Sequence, residues 1–338
     1  MSSRFLLWSR PHAEHAQEEL QRKLFPLARH ALYYGLKSFR IGQGDEVLVP
    51  AYICTAAVDA IRACGAVPVF FRVGRDCSHD WEDAQRRISA RTRALLVVHY
   101  FGFPQDLQPA RELADRHKLA LIEDCAHVLH GEIGGKPLGS TGDASVFSWR
   151  KFLPTLHGGE LVIRSEEAAR PEQIRPSSWA ELKTLKRLLD MRVAYEGGAW
   201  IESLLQLPAD VLKSARRMAS RSAQPASPEL QQAESSGFDL KTERMALSRV
   251  SRFVLEHSDV ADIAAQRQRN YQGLAERLSR IPDVRPLFPA LPENNCPLHF
   301  PVFIGNTGGA HRLLRELGVP ATAWDGVRPS CIPEGSFP

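Results

Sequence analysis

Six short apolar segments between residues 46 and 163 constrain the fold of this chain more than any other feature. They are rich in valine, leucine and isoleucine without polar alternation, which is typical of strands buried on both faces of a sheet. The segments are EVLVP (46–50), VPVFF (67–71), ALLVVHY (94–100), LALIED (119–124), ASVFS (144–148) and ELVI (160–163). Helical patterns lie between several of them, so the sequence predicts an α/β fold with a mostly parallel central sheet flanked by helices.

Two of the intervening segments show the helical pattern clearly. TAAVDAIRACG ends at Gly65, a residue type that commonly terminates helices, and DLQPARELADRHK has the same helical spacing of apolar residues. Ligands of open α/β sheets bind at the carboxyl ends of the strands. Asp124 and Lys151 each come just after a predicted strand, so we expect both side chains at that edge of the sheet.

The chain changes character after residue 165, which predicts three regions. Residues 1–165 form the large domain, residues 166–240 a helical insertion or linker, and residues 241–338 a smaller C-terminal α+β domain. The middle region ends in SRSAQPASPELQQAESSG, whose Ser, Pro and Gln content is typical of a mobile linker or a surface insertion. After Phe238 we predict a return to helix, then a strand at CPLHFPVFI and a helix at HRLLRELGV.

Charge and composition argue against several classes of protein. The formal net charge of +4 is mild, and no Lys/Arg run is interleaved with aromatic residues, so no nucleic-acid partner is predicted. The six cysteines form no CxxC pair, which fits reduced thiols better than a zinc knuckle. No window approaches the roughly 18 apolar residues of a membrane span, and the first residues show no cleavage site. We therefore expect a soluble cytoplasmic protein.

Lys151 stands between two strand-like segments, just ahead of the glycine pair Gly158-Gly159. Its neighbours are mostly apolar, and partial desolvation of the amine lowers the pKa of a lysine and makes it a better nucleophile. The glycine pair permits a close approach of backbone to a ligand. The pattern suits Schiff-base chemistry, and an ordinary surface lysine at a strand end is the alternative.

Two acids, Glu123 and Asp124, end a predicted buried strand. A buried carboxylate is costly unless it meets a cation or a hydrogen-bond donor. One such cation is the protonated ring nitrogen of pyridoxal phosphate (PLP), and the alternative is an Asp that caps the next helix. A metal site at Cys125, His127 and His130 is disfavoured, because no second cluster has ligand spacing. We predict no metal.

Together these segments resemble the DegT/DnrJ/EryC1/StrS family of PLP-dependent aminotransferases. The resemblance covers about residues 26–165 and includes IGQGDEVLVPAY, GAVPVFFRV, TRALLVVHYFGFPQDLQPARELADRHKLALIEDCAH, GGKPLGSTGDASVFS and KFLPTLHGGELV. It implies the large domain of a fold type I PLP-dependent transferase, followed by a smaller C-terminal domain.

The resemblance also implies catalytic roles. Lys151 would bind PLP covalently and, once displaced by the amino substrate, would move a proton between the substrate and the cofactor. Asp124 would pair with the pyridine nitrogen of the cofactor. His127 would lie near the phenolic oxygen or the face of the ring.

The same resemblance assigns the remaining cofactor contacts. Ser148 would hydrogen-bond the phosphate, and the backbone at Arg29 and His30 would add the amides of a helix N-terminus, with the Arg29 side chain as a further cation. Cys54 stands where an aromatic residue commonly stacks on the ring. Tyr52 is an alternative stacking residue, depending on which face of the chain its side chain takes in the strand alternation.

This sequence departs from the family pattern at other points. Ser148 precedes Lys151 by three residues, a shorter interval than the family usually has. The family's glycine–asparagine–arginine segment is not clearly present, and FDLKTERM is its nearest counterpart. The sequence also stops early, so an abbreviated enzyme or a fragment is expected.

The implied activity is the transfer of an amino group, with glutamate as the donor, to a keto group of a nucleotide-linked sugar in polysaccharide or antibiotic biosynthesis. It would run as two half-reactions in a site completed across a homodimer. Two alternatives remain open. One is a dehydratase-like relative that uses PLP or pyridoxamine phosphate, and the other is a degenerate, non-catalytic binding or regulatory member.

Overall fold

A computed structural model describes residues 21–164, 172–196, 238 and 243–305, together with the isolated positions 314, 316, 319 and 321. Most of the predicted linker and of the HRLLRELGV helix therefore lies outside the described residues. In the described part, no helix is both long and apolar enough to cross a membrane.

A seven-stranded sheet forms the centre of the molecule. Its strands are β1 (Gln21–Phe25), β2 (Glu46–Pro50), β3 (Val67–Phe71), β4 (Thr92–Val98), β5 (Ala120–Cys125), β8 (Ala144–Ser148) and β9 (Gly159–Ile163). Short strands β6 (Glu132–Ile133) and β7 (Lys136–Pro137) pair separately. The sheet order is β1-β9-β8-β5-β4-β2-β3, parallel from β8 to β3 and antiparallel at β9 and β1. The predicted mostly parallel sheet is confirmed.

The six predicted strands are all present, with small differences at their ends. The strand predicted at 94–100 ends at Val98, so His99 and Tyr100 lie in the turn that follows. The edge strand β1 was not predicted, because QRKLF is short and mostly polar, and only Phe25 in it is fully buried. This strand pairs with β9 and closes the sheet beside the Lys151 segment.

The structure describes seven α-helices, and the first four lie against the central sheet and bury its apolar strands. They are α1 (Ala28–Ser38), α2 (Thr55–Ala63), α3 (Trp81–Arg86), α4 (Gln108–His117), α5 (Ser178–Glu196), α6 (Arg249–His257) and α7 (Val260–Leu278). Gly65 follows α2 with a φ of 84°, the left-handed conformation that its predicted role as a helix terminator requires. Two apolar clusters lie between helices and strands, one built around Leu36, Val49 and Leu96 and the other around Leu48, Leu95 and Leu121.

The C-terminal part of the chain packs on the carboxyl edge of this sheet. The CPLHFPVFI segment is mostly irregular, with strand β11 only at Val302–Ile304, where it pairs with β10 (Val284–Pro286). The amide of Leu298 donates to the carbonyl of Phe101 (2.7 Å), and the amide of Cys296 donates to that of His130 (2.9 Å). Residues 296–299 thus lie against the turns that follow β4 and β5.

Candidate active site

The turn that carries Lys151 is held by a strand end, by a backbone hydrogen bond and by an apolar cluster that buries the next two residues. Strand β8 ends at Ser148, a short 3₁₀ turn covers Trp149–Lys151, and the amide of Trp149 donates to the carbonyl of Gly158 (2.7 Å). The next two residues, Phe152 and Leu153, are buried in an apolar cluster with residues of α6 and α7. These contacts hold the half-buried Lys151 just past the end of β8, as the sequence predicted.

The glycine pair after this turn packs against backbone. A Cβ on Gly159 would collide with the carbonyl group of Leu27 and would lie 2.6 Å from the amide nitrogen of Ala28. The amide of Gly158 donates to the carbonyl of Pro26 (2.8 Å). The close approach that we predicted for a ligand is therefore an approach of strand β9 to the N-terminus of α1, which brings that helix end beside Ser148, the partner of Gly159 in the sheet.

Replacing Gly159 with alanine is expected to destabilise the protein by about 2–3 kcal/mol, because the added methyl group meets rigid backbone on α1. Chemical denaturation of the purified variant measures this change. Gly273→Ala is the matched control: Gly273 lies in α7 with open space around it, so alanine there should leave stability unchanged or raise it by up to about 1 kcal/mol. Equal stability of both variants would contradict the packing argument.

Asp124 lies at the carboxyl end of β5 and is only 9% exposed. One of its carboxylate oxygens accepts a hydrogen bond from the amide of Ala126 (2.9 Å). Burial raises the pKa of Asp124, while the Ala126 amide and the nearby positive charge of Lys151 act in the opposite direction. Asp124 is therefore a desolvated carboxylate beside an amine, where an additional cation would be stabilised.

The neighbouring acid, Glu123, has a different role. Its carboxylate accepts hydrogen bonds from His99 (3.1 Å) and from the backbone amides of Gly139 (2.9 Å), Thr141 (2.7 Å) and Gly142 (2.5 Å). Burial raises the pKa of Glu123, but these donors outweigh burial and hold it below its usual value. Glu123 thus joins the ends of β4 and β5 to the loop before β8.

His127 is held in one tautomer by the backbone. Its Nδ1 accepts a hydrogen bond from the amide of Phe101 (3.1 Å), so the ring proton of the neutral form is on Nε2. Burial, followed by the charges of Lys151 and His299, lowers the pKa of His127 well below the usual value. The side chain is therefore a neutral N–H donor beside Lys151.

The N-terminus of α1 has features of an anion site. The residue before it, Leu27, provides no side-chain cap, and the first turn holds no acidic residue. Arg29 is half-buried in that turn. The amide of His30 donates to the carbonyl of Leu27 (3.1 Å), and its buried ring packs edge-on against Phe238 (5.4 Å between centroids), so His30 has a mainly structural environment.

Cys54 shares the electrostatic environment of the Lys151 turn. Its side chain is exposed, but the protein around it desolvates the thiolate and raises its pKa, with a further increase from Asp124 and a decrease from Lys151 and Arg29. The thiol therefore marks a solvent-accessible place beside Asp124, Lys151 and Arg29, and we call this place the cleft. The ring of Tyr52 instead packs at a tilt against that of Tyr100 (5.3 Å between centroids), and the hydroxyl of Tyr100 donates to the Tyr52 carbonyl (2.6 Å).

The structure thus brings together most of the residues that the sequence singled out. Electrostatic interactions connect Lys151 with Asp124, His127 and Cys54, and Cys54 with Arg29. Ser148 is buried at the end of β8, three residues from Lys151.

Two residues of the C-terminal region also lie near the Lys151 turn, and sequence reasoning missed both. His299 is exposed and lies 6.3 Å from the ring of Phe101. Arg267, on α7, lies over the ring of Phe152 at 5.0 Å. No local pattern marks either residue, because the packing of residues 296–299 on the sheet edge is a long-range contact.

A possible metal-binding group exists below the cleft. Within the described residues, ligand atoms of His99, Glu123 and Cys125 lie within 4.8 Å of one another. However, the Nδ1 of His99 already accepts from the amide of Gln105 (3.1 Å), and the oxygens of Glu123 accept from His99 and three amides. The group is therefore arranged as a hydrogen-bonded centre, and it differs from the Cys125, His127 and His130 set considered in the sequence.

The sequence of this chain is similar to those of known aminotransferases. Residues 28–182 match the model of the DegT/DnrJ/EryC1/StrS aminotransferase family. The chain is 40% identical to GDP-perosamine synthase of Vibrio cholerae over 139 residues, which are 40% of this chain and 38% of that protein. It is 36% identical to the UDP-N-acetyl-3-dehydro-alpha-D-glucosamine 3-aminotransferase of Acidithiobacillus ferrooxidans over 139 residues, again 40% and 38% of the two proteins.

Solved structures share the fold over more of the chain. The aminotransferase TlmJ from Streptoalloteichus hindustanus gives a TM-score of 0.61 at 21% identity, covering 93% of this chain and 74% of that one. An aminotransferase from Psychrobacter cryohalolentis gives 0.57 at 19% identity, covering 91% and 77%. These likenesses show fold type I. The sequence match, by contrast, spans only about two fifths of the length of the curated relatives.

Proposed function

We propose that this chain, whose residues 28–182 match the model of the DegT/DnrJ/EryC1/StrS aminotransferase family, is a PLP-dependent aminotransferase of that family and acts on nucleotide-linked keto sugars. The observation that carries the proposal is the meeting of Lys151 with the buried carboxylate of Asp124 at the carboxyl edge of a parallel sheet. The names of the relatives support the substrate class, since they include a GDP-linked and a UDP-linked sugar enzyme.

The residues present fit PLP. The desolvated Asp124 offers a negative charge for the protonated ring nitrogen, and the uncapped N-terminus of α1 with Arg29 offers donors for the phosphate. The hydroxyl of Ser148 lies on the strand that pairs beside that helix end. When bound, PLP supplies an electron sink for charge that develops on the substrate.

Each side chain has a definite task in this proposal. The Nζ of Lys151 binds the cofactor and, once released, moves a proton at the substrate Cα. The carboxylate of Asp124 keeps the ring nitrogen protonated. The neutral His127 donates a hydrogen bond from Nε2 to the cofactor, and Cys54 lies beside the ring, where the family resemblance implies an aromatic side chain.

We further propose glutamate as the amino donor, a homodimer as the working form and the cytoplasm as the location. The family resemblance supports the first two. The third is supported by the free state of the five cysteines in the described part of the chain: Cys54, Cys64, Cys77, Cys125 and Cys296.

Borohydride reduction of PLP-loaded protein, followed by peptide mapping, tests the proposal. We expect PLP on the peptide that contains Lys151, and amino transfer from glutamate to members of a panel of nucleotide-linked keto sugars, read by mass spectrometry. Labelled protein without amino exchange would instead favour the dehydratase-like alternative. Protein that never binds PLP covalently would favour the non-catalytic one.

Asp124→Asn is expected to keep PLP bound but to lower the turnover by about 10²-fold, because a neutral amide does not stabilise a protonated ring nitrogen. Single-turnover kinetics with glutamate measure this change. Asp143→Asn is the control, since Asp143 precedes β8 and pairs with Arg111 away from the cleft. Turnover of the Asp124 variant equal to that of the control would contradict the assigned role.

A further inference from the structure

Arg267 lies between the Lys151 turn and the segment that carries His299. Its Nη1 donates to the carbonyl of Leu298 (3.0 Å) and, at 3.4 Å, to that of Pro297, the two residues that precede His299. Its guanidinium carbon lies 5.0 Å from the centroid of Phe152, the residue after Lys151. The guanidinium is therefore held from two sides, between the residue that follows Lys151 and the two residues that precede His299.

The guanidinium of Arg267 is not neutralised by a negatively charged partner in the described residues. A guanidinium has five N–H donors, and the hydrogen bonds to the two carbonyls come from Nη1 alone. Within the part of the chain that the structure describes, no carboxylate pairs with Arg267. A half-buried cation with neutral partners gains free energy from an anion, because the desolvation of its charge is then offset by a charge-assisted hydrogen bond.

Arg267 and Lys151 both act on the ring of His299. Burial and the charges of Lys151 and Arg267 lower the pKa of His299 to about 4. His299 is nevertheless exposed, so its ring is accessible to a ligand in the cleft. The charges of Lys151 and Arg267 thus both act on the same side chain, that of His299.

We propose that Arg267 and His299 form an oxyanion subsite of the cleft beside Lys151, filled by a carboxylate of the amino donor or by the diphosphate of the nucleotide-linked sugar. This inference rests on the proposed function for the identity of its ligands. The planar fork of Arg267 suits both anions, because each presents two oxygens at matching spacing.

Calorimetric titration of PLP-loaded protein with glutarate, a dicarboxylate without an amino group, and separately with inorganic diphosphate, tests the subsite. Arg267→Met puts an apolar side chain beside Phe152 in place of the guanidinium and should weaken binding of one of these anions by about 10- to 100-fold. Arg269→Met is the matched control, since Arg269 is exposed on the same helix and bonds Gln266, and it should bind as wild type does. Arg267→Lys, which keeps the charge but not the fork, should show a smaller loss.

Steady-state kinetics then separate the two sources of the anion. A higher KM for glutamate alone assigns the subsite to the donor carboxylate, and a higher KM for the sugar nucleotide alone assigns it to the diphosphate. Should Arg267→Met not fold, His299→Gln at the exposed position replaces it in both measurements.

Unchanged anion affinity in folded, PLP-loaded Arg267→Met and His299→Gln proteins would overturn the subsite and leave the proposed function intact. Conversely, absence of a covalent PLP adduct on Lys151 in the wild type would overturn the proposed function. Anion binding to that protein, with its loss in the two variants, would still be measured by the same titrations.

Discussion

Replacing Lys151 with alanine is expected to abolish covalent binding of PLP and to lower amino transfer by at least about 10³-fold. The reason is that one side chain provides both the covalent attachment and the proton transfer at the substrate Cα. No other lysine in the described residues lies in this turn, and the neighbouring Arg150 does not condense with an aldehyde. Loss of the near-ultraviolet to visible absorbance of the bound cofactor and single-turnover rates measure the two effects.

Two variants make the Lys151 result specific. Lys136→Ala removes an exposed lysine on β7 and should leave both the absorbance and the rate unchanged. Lys151→Arg keeps a cation beside Asp124 and so preserves the electrostatic balance of the cleft, but it should be as inactive as the alanine variant. Substantial amino transfer by Lys151→Arg would exclude a covalent role for this position.

Glu123→Gln is expected to lower the free energy of unfolding by about 3–5 kcal/mol, because it removes one partner from a buried, charge-assisted network. In the wild type, both carboxylate oxygens of Glu123 accept hydrogen bonds, from the His99 ring and from three backbone amides. A glutamine replaces one acceptor oxygen with an NH₂ group, which then faces an N–H donor. Equilibrium denaturation measures the loss, and the exposed Glu112→Gln should be nearly neutral.

The pH dependence of stability gives a second readout for Glu123. Its pKa in the folded protein lies below the ordinary value of 4.5. A lowered carboxyl pKa contributes stability that is present above pH 4.5 and is lost as the pH falls through the folded-state pKa. Stability of the wild type should therefore decrease more steeply in acid than that of Glu123→Gln. If the curves of stability against pH were parallel for the wild type and Glu123→Gln, Glu123 would not carry the negative charge that these hydrogen bonds require.

Local sequence patterns predicted the strands and the edge of the sheet that carries the candidate site, but they did not predict contacts between distant parts of the chain. Strands β2, β3 and β8 have the predicted boundaries, because each is built around a continuous apolar run that ends at a turn, even in β3, which lies at the sheet edge and is only partly buried. The places of Asp124 and Lys151 followed from the same pattern, since the carboxyl ends of parallel strands share one edge. The packing of Gly159 on the backbone of α1 was not predicted, because the sequence shows that backbone can approach closely at this position without showing which group it approaches.

The sequence by itself determined the parallel sheet, the edge on which the chemistry lies, and the lysine and aspartate that the family resemblance marks. Only the tertiary structure separated Glu123 from Asp124, since adjacent strand residues have opposite directions and meet different loops. It also brought Arg267 and His299 to Lys151 from more than a hundred residues away along the chain. Such contacts depend on how one surface packs on another, and the free energy of that packing is not encoded in any short stretch of residues.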